Sequence, residues 1–260
     1  MKKKAFPIFP AAALLLAAGC CCTTAPVETL PPAVTVTKAV PGEIVFDGKL
    51  SETFWQKAAA YSLERSDKSG KLPPKEKVRV LQDAQEKGQV KFAYDDKYFY
   101  VAAILDDNDL IAMGKDQDQL INFGDTFMVY LAPENALHYW NFTVAPNSSK
   151  SGYMFDIDGL YLNMKDKDKY GLLPGFEALC TVNGTVNKQN DRDKCWCVEM
   201  RFPLKSIARL GIKFAPGEKW RIMAARRSYS AYNYAVQISA YPHQPGANFL
   251  RKCFGVVDFR

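Results

Sequence analysis

The side chains that could do chemistry in this chain are mainly carboxylates, because histidine is scarce. His138 and His243 are the only histidines, and the sequence contains no G-x-S-x-G turn, phosphate-binding loop or metal-binding motif. The acidic clusters of residues 106–109 and 156–158 could supply the acid and base of a glycoside hydrolase. Carboxylates that follow a strand are more often turn formers or calcium ligands. We therefore expect no catalytic residues, and a glycoside hydrolase is the least favoured alternative.

Cysteine is the second reactive residue type. Cys180, Cys195, Cys197 and Cys253 form an even set of four in the body of the chain, which permits disulfides in an oxidising compartment. The C-x-C pair lacks the usual spacing of a zinc site. On a strand, Cys195 and Cys197 would lie on one face, from which either could meet Cys180 on a neighbouring strand. Two alternatives remain open: Cys180 forms a disulfide with Cys195 or Cys197, or the thiols are unpaired.

Cys20 has a different predicted role, because it follows a complete export signal. Met1–Lys4 is basic, Ala5–Ala18 is apolar, and small residues stand directly before Cys20. The apolar run is shorter than the about 20 residues that span a bilayer. We predict a lipoprotein signal peptide over residues 1–19 and stable membrane anchoring by lipid on Cys20. Residue 21 is cysteine rather than the aspartate associated with inner-membrane retention, which favours the outer membrane.

Charge and composition predict one exported domain behind a tether. Without the three signal-peptide lysines, the 34 basic residues fall to 31 against 28 acidic ones, a net charge of +3. This balance gives no indication of nucleic-acid binding. Residues 20–42 are rich in threonine and proline, which predicts an extended tether without packed structure. Residues 43–260 are predicted to form a single domain.

Alternation of apolar and polar residues dominates this domain and indicates the strands that must position its side chains. Ile44–Phe46 reads as a first short strand, and Ser51 as the N-cap of a short helix that reaches Ala58. Pro203–Leu210 reads as a second helix. Ten strands with so few helices indicate an all-β fold, an antiparallel β-sandwich of the immunoglobulin or jelly-roll kind. The ten strands are predicted at Val78–Gln82, Gln89–Tyr94, Tyr98–Leu105, Thr126–Leu131, His138–Ala145, Phe176–Val182, Cys195–Phe202, Lys219–Arg226, Ala235–Ala240 and Gly255–Phe259.

The strand that begins at His138 presents two chemically different faces. Alternation places Trp140 with Phe142, which predicts that both rings lie in the core. Tyr139, Asn141 and Thr143 then lie on the opposite face. A tyrosine ring beside an amide suits a sugar, whose C–H face stacks on the ring while its hydroxyls bond to the amide. An ordinary solvated sheet face would show the same pattern.

Arg226 is a candidate for either an ion pair or a ligand contact. It shares its predicted face with Trp220 and Ile222, and a charge next to an apolar layer must be paired or reach a rim. An ion pair with Asp125 or Glu199 is the favoured interpretation, and contact with a ligand is the alternative.

A second wall of a ligand site is predicted from tyrosines near the C-terminus. So much exposed tyrosine indicates a segment that folds inward or meets a ligand, and Tyr232 and Tyr241 are its candidate contacts. The cluster consists of Tyr229, Tyr232, Asn233, Tyr234, Gln237 and Tyr241.

Several short sequence segments, in their order along the chain, resemble those of the family 9 carbohydrate-binding modules over about residues 43–260. These segments are Ile44–Gly48, Val90–Asp96, Gly124–Asp125 before Met128–Leu131, Phe142–Asn147, Trp196–Met200, Trp220–Ile222 and Phe254–Val257. The resemblance implies a β-sandwich that binds sugars without catalysis, often with structural calcium. Sugar-binding members hold the sugar between two aromatic rings, and the residues nearest to those positions are Phe123 and Tyr241. Where these members carry a carboxylate and a basic or amide group, this chain has Met128 and Thr143.

The sequence therefore predicts a lipid-anchored protein of the bacterial envelope that binds a polysaccharide or oligosaccharide. A lipoprotein that kept the sandwich and binds a protein partner is the alternative.

Overall fold

Thirteen β-strands account for most of the residues that the structure describes. The structure is a computed structural model, and it describes residues 31–65, 86–114, 124–156, 172–188, 190–208, 212–230, 235–243 and 251–260. The strands are β1 Ala33–Lys38, β2 Ala60–Ser62, β3 Glu64–Arg65, β4 Gly88–Tyr94, β5 Tyr98–Asp106, β6 Thr126–Pro133, β7 His138–Val144, β8 Lys150–Asp156, β9 Glu177–Asn183, β10 Cys195–Pro203, β11 Trp220–Ser230, β12 Ala235–Tyr241 and β13 Gly255–Phe259. Two short helices, α1 Thr53–Lys57 and α2 Leu204–Ile207, and a 3-10 turn at Arg251–Cys253 complete the described elements.

The strands form one continuous sheet in the order β8-β7-β6-β11-β13-β1-β4-β5-β10-β9. We call β6, β7, β8, β11, β12 and β13 the β6 half, and β4, β5, β9 and β10 the β5 half. Strand β1 joins the halves by pairing with β13 on one side and β4 on the other, in parallel with both. The prediction of a purely antiparallel arrangement is therefore wrong at β1. On the far side, β2 pairs with β4 and β3 pairs with β12, so the short segment 60–65 links the halves again.

The main core lies between the two halves and is rich in aromatic rings. Phe202 of β10 contacts Phe142 of β7 with ring centroids 4.8 Å apart and Phe99 of β5 at 5.5 Å. Trp140 and Trp220 face this core and are buried, as alternation predicted. Burial of one large apolar side chain contributes about 1.5–3 kcal/mol, so this layer of rings dominates the stability of the fold.

The all-β class and the two helices are confirmed, and the two-sheet sandwich stays a prediction. Strand β8 was missed because its Ser151-Gly152 pair resembles a turn. In the structure, Gly152 lies so close to Leu172 and Phe142 that a Cβ there would meet their side chains at 3.0 and 3.3 Å. The predicted strand Val78–Gln82 lies outside the described residues. No helix in the described part of the chain is long and apolar enough to cross a membrane.

The segment before α1 differs from its prediction. Ile44–Phe46 forms no strand, and a side chain rather than a neighbouring strand accepts the Val45 N–H. The Val45 N–H donates to Glu52 Oε1 at 2.8 Å. The N-cap of α1 is Glu52 rather than Ser51, and its side chain makes no capping hydrogen bond.

The predicted tether is wrong for residues 33–38, which form β1. Val34 and Val36 are fully buried in the main core. The alternation of Ala33–Lys38 is a strand signal, which the prolines on both sides of it masked at the level of sequence. The compact unit accordingly begins at Pro31 rather than at residue 43.

Replacing Val34 or Val36 by alanine should lower the free energy of unfolding by about 2 kcal/mol each, because each change removes buried methyl groups and leaves a cavity. Val40→Ala is the matched control, since Val40 is 65% exposed and the same change there should cost almost nothing. Chemical denaturation measures all three. Equal, negligible effects at the three positions would mean that residues 33–38 are a tether after all.

Candidate functional site

The outer face of β6, β7 and β8 carries polar and aromatic side chains in register. Asn141 of β7 lies opposite Tyr130 of β6 and Tyr153 of β8. Thr143 lies opposite Met128 on β6 and next to β8 on its other side. We call this side of the sheet, on which Tyr130, Asn141, Thr143 and Met128 are buried, the Asn141 face. Alternation along β7 is therefore confirmed, with Trp140 in the core and Asn141 on the other side of the sheet.

Tyr139 forms an aromatic wall of the Asn141 face. Its ring stacks on Phe155 with centroids 5.3 Å apart and planes 9° from parallel. Phe254, which follows the 3-10 turn, meets Tyr139 edge-on at 5.6 Å, and Tyr130 lies 6.1 Å away. The four rings belong to a small apolar cluster on this side of the sheet. The Tyr139 ring is thus held in place by neighbouring rings, with one face covered by Phe155.

Asn141 is the polar centre of this face and has an unused hydrogen-bond donor. The residue is 7% exposed, and its Oδ1 accepts a hydrogen bond from Thr143 Oγ1 at 3.0 Å. Its Nδ2 is buried and has no hydrogen-bond partner in the described structure. An unsatisfied buried donor costs about 1–3 kcal/mol, and such groups are rare in folded proteins. An acceptor atom supplied by a ligand would remove this cost.

Arg226 lies on the opposite side of the sheet and makes a buried ion pair. It is 1% exposed, and its Nη2 donates to Asp107 Oδ2 at 2.7 Å and to Glu86 Oε2 at 3.2 Å. The favoured interpretation as an ion pair is confirmed, but the predicted partners Asp125 and Glu199 are wrong. Glu86 and Asp107 are more than 100 residues from Arg226 in the sequence, so the local pattern around Arg226 could not predict them as its partners.

Asp107 and Asp125 are buried close to Arg226 and to each other. Burial raises the pKa of Asp107 to about 7 against the attraction of Arg226. Burial and the neighbouring Asp107 raise the pKa of Asp125 to about 8. Both oxygens of Asp125 accept backbone N–H groups, from Ile111 and Tyr229, each at 2.7 Å. These carboxylates fix loops to the end of the sheet.

The acidic cluster of residues 106–109 does not fit a calcium ion. Asp107 Oδ2 is bonded to Arg226, and its Oδ1 accepts the Asp109 N–H at 3.0 Å. A guanidinium therefore takes the place that a cation would need. Across the described ranges there is no group of three or more histidine, cysteine, aspartate or glutamate side chains that could hold a metal ion.

Tyr241 does not lie on the Asn141 face. Its neighbour Ala240 does, and alternation along β12 turns Tyr241 toward the main core, where it packs partly buried. Its ring stacks on Tyr61 with centroids 4.4 Å apart. The structure therefore brings Tyr139 and Asn141 together and places Arg226 and Tyr241 on the other side of the sheet. Phe123, Tyr232 and Cys20 lie outside the described residues.

Of the two alternatives left open for Cys180, the disulfide is not formed, because Cys195 and Cys197 lie on the other face of the sheet. Cys180 of β9 pairs in register with Val198, and both face the core. The cysteines of β10 alternate with Val198 and point outward. Cys180, Cys195 and Cys197 form no disulfide. The prediction failed because it used the period of β10 without the register of β9.

Glu199 is a buried carboxylate whose position sequence reasoning missed. It lies on the outer side of the β5 half, fully buried, and its Oε2 accepts the N–H groups of Asp47 and Gly48 at 3.0 and 2.9 Å. These bonds fix the loop before α1 to the sheet. Gly48 adopts φ of 77° there, which favours glycine. Burial raises the pKa of Glu199 to about 7.

Comparison with known proteins finds likeness in structure only. No protein-family model and no curated protein matches the sequence. A crystal structure of a Bacteroides uniformis protein, named for a suspected carbohydrate-binding role, has a TM-score of 0.61 and 9% identity over 88% of this chain and 99% of that chain. A family 9 carbohydrate-binding module from Caldicellulosiruptor kristjanssonii in complex with cellotriose has a TM-score of 0.52 and 14% identity over 88% and 93%. The chain thus has the fold of these modules, as the resemblance predicted.

Replacing Glu199 by glutamine should make the protein more stable at high pH only. The folded pKa of about 7 lies above the ordinary 4.5, so the stability that neutral Glu199 contributes is fully present below about pH 4.5 and is lost as the pH rises to 7. Glu199→Gln keeps an oxygen for the two N–H groups and carries no charge. We expect equal unfolding free energies at pH 4 and an advantage of about 2–3 kcal/mol for the variant at pH 8.

Denaturation curves at several pH values measure this difference. Glu218→Gln, at an exposed position, is the matched control and should leave the profile of the natural chain unchanged. A Glu199→Gln profile that runs parallel to that of the natural chain would contradict a neutral buried carboxyl.

Proposed function

We propose that this chain is a non-catalytic, carbohydrate-binding lipoprotein and that the Asn141 face is its sugar site. The observation that carries the proposal is the buried Asn141 Nδ2, which has no acceptor within the described part of the chain. Its surroundings are tyrosine rings, a threonine hydroxyl and a methionine. A sugar supplies hydroxyl and ring oxygens for the amide and C–H groups for the rings. The fold shared with a module in complex with cellotriose supports this reading.

The chemistry of this face favours neutral sugars. Met128 and Thr143 lie directly opposite each other in the register of β6 and β7. These are the positions where the resemblance implies a carboxylate and a basic or amide group in sugar-binding members. Tyr130 Oη donates to Met128 Sδ at 3.6 Å, so the thioether is part of a fixed, uncharged floor. We expect a neutral polysaccharide or oligosaccharide, with Phe123 and Tyr232 as further ring contacts.

The same Met128–Thr143 pair supports a second candidate function. A face without the charged pair has lost part of the sugar clamp that the resemblance implies, and a methionine beside aromatic rings suits an apolar protein surface. A lipoprotein that binds a protein partner through the Asn141 face would show the same residues.

The cell envelope is the proposed place of action. The signal peptide and Cys20 predict export and lipidation, and Cys21 favours the outer membrane. Residues 21–30 would then connect the lipid to the domain, whose first strand starts at Ala33. A protein of this kind holds polysaccharide close to the cell and leaves its cleavage to other proteins.

Glycan binding tests the sugar site directly. We expect the purified chain to bind at least one neutral glycan on an array, with micromolar to millimolar affinity by calorimetry. Asn141→Ala should weaken this binding about tenfold or more, because it removes a hydrogen bond to a buried donor. Asn183→Ala is the matched control, since Asn183 is exposed on β9 of the other half, and it should bind as tightly as the natural chain.

Equal weakening by both asparagine substitutions, or glycan binding that Asn141→Ala leaves intact, would remove the Asn141 face as the site. A folded protein that binds no glycan on a broad array but captures a purified envelope protein would favour the second candidate.

Lipid anchoring is tested by Cys20→Ser in the native host. We expect the natural chain in the membrane fraction and the variant in the soluble periplasmic fraction, because serine offers no thiol for lipidation. Cys22→Ser is the matched control and should stay with the membrane. A Cys20→Ser protein that remains in the membrane fraction would contradict the lipid anchor.

A further inference from the structure

Cys195 and Cys197 form a dithiol on the outer face of β10 that takes no part in the proposed sugar site. Both residues are half-buried, and alternation points both side chains away from the core. Cys197 lies between Thr181 of β9 and Ile104 of β5 in the sheet register. Because β10 pairs with both β5 and β9 from Cys195 to Arg201, the backbone between the two cysteines is fixed in the extended form.

This extended backbone prevents the two thiols from closing a disulfide. Residues two apart on a strand are separated by about 6.6 Å, and their Cβ atoms are equally far apart. A disulfide requires Cβ atoms about 3.5–4.5 Å apart. Cys180 cannot pair with either of them, because its side chain lies on the inner face of β9. The two thiols therefore cannot form a disulfide with each other or with Cys180.

The same spacing suits a cation that binds two sulfurs in a line. Two metal–thiolate bonds of about 2.3 Å span about 4.6 Å, so each sulfur needs to lean along the strand by about 1 Å. We propose that Cys195 and Cys197 bind one soft, two-coordinate cation of the class Cu⁺, Ag⁺ or Hg²⁺. Thiolates select soft ions, and the described residues offer no third ligand for a tetrahedral zinc site.

The proton and charge balance of this site is simple. Both thiols lose their protons to solvent, and each sulfur forms one bond to the cation. With a monovalent ion the product carries one negative charge, and with Hg²⁺ it is neutral. Burial and Asp106 raise the pKa of Cys195, whereas Lys194 lowers it. Burial and the neighbouring Cys195 also raise the pKa of Cys197, so the cation must displace the protons of both thiols.

Silver titration tests the site, since Ag⁺ has the coordination preference of Cu⁺ and is stable in air. The full chain is used with Cys20, Cys21 and Cys22 replaced by serine, because these three consecutive cysteines could also bind the ion between two sulfurs. Because Ag⁺ also binds single thiols, the titration is made with an excess of a small monothiol as competitor, and we expect calorimetry and native mass spectrometry to show one Ag⁺ that the chain retains. This equivalent should be lost in Cys195→Ser and in Cys197→Ser, and kept in the control variants Cys180→Ser and Cys253→Ser.

A second measurement does not depend on the folding of those variants. One equivalent of Ag⁺ should protect Cys195 and Cys197 from alkylation by N-ethylmaleimide, as peptide mass mapping reads out. X-ray absorption of the bound silver should show two sulfur neighbours. Unchanged Ag⁺ binding in Cys195→Ser or Cys197→Ser, or alkylation of both cysteines in the silver-loaded chain, would overturn the proposal. Glycan binding is independent of either outcome.

Discussion

The parallel insertion of β1 between β13 and β4 is the constraint on which the rest of the structure depends. It turns two groups of strands into one sheet whose halves face each other across a common core. Val256 N–H donates to Pro32 O at 3.0 Å, Arg260 N–H donates to Val36 O at 3.0 Å, and Ala39 N–H donates to Tyr94 O at 2.8 Å. With the halves joined in this way, each strand except the short β3 has an inner face in the main core. The outer faces carry the Asn141 face and the cysteine pair.

Buried ionisable side chains play a consistent role in this fold, which is to attach loops to the sheet. Arg226 with Asp107, Asp125 with two backbone N–H groups, and Glu199 with Gly48 each join segments distant in sequence. Such groups are weak contributors to stability, because desolvation offsets much of their attraction. Their value lies in geometry, since these bonds form only when each loop is in one place. Asn141 Nδ2 has no hydrogen-bond partner among the described residues, as is also true of Arg226 Nε and Glu199 Oε1, and it differs from these two by lying on the Asn141 face.

Local pattern and long-range register explain which features the sequence predicted. Period-two alternation sorted Trp140 from Asn141 correctly, because the side of a strand depends only on the strand itself. Other features depend on which strands become neighbours. These are the ion-pair partners of Arg226, the side of the sheet on which Cys180 lies, and the residues that Tyr241 contacts. A single sequence holds little information on such pairing. Strand β1 was missed for a related reason, since six alternating residues between prolines gain their meaning only from the groove between β13 and β4.

The position of β1 also decides how the domain meets mechanical load. Any pull from the N-terminal side enters the sheet along β1, parallel to the strand and across the hydrogen bonds that it shares with β13 and β4. These bonds are then loaded together, in shear, rather than one after another as in the peeling of a hairpin. A protein tethered at its N-terminus and attached to a long polymer would experience that direction of force. The fold places a strand that is paired on both sides where that force would arrive.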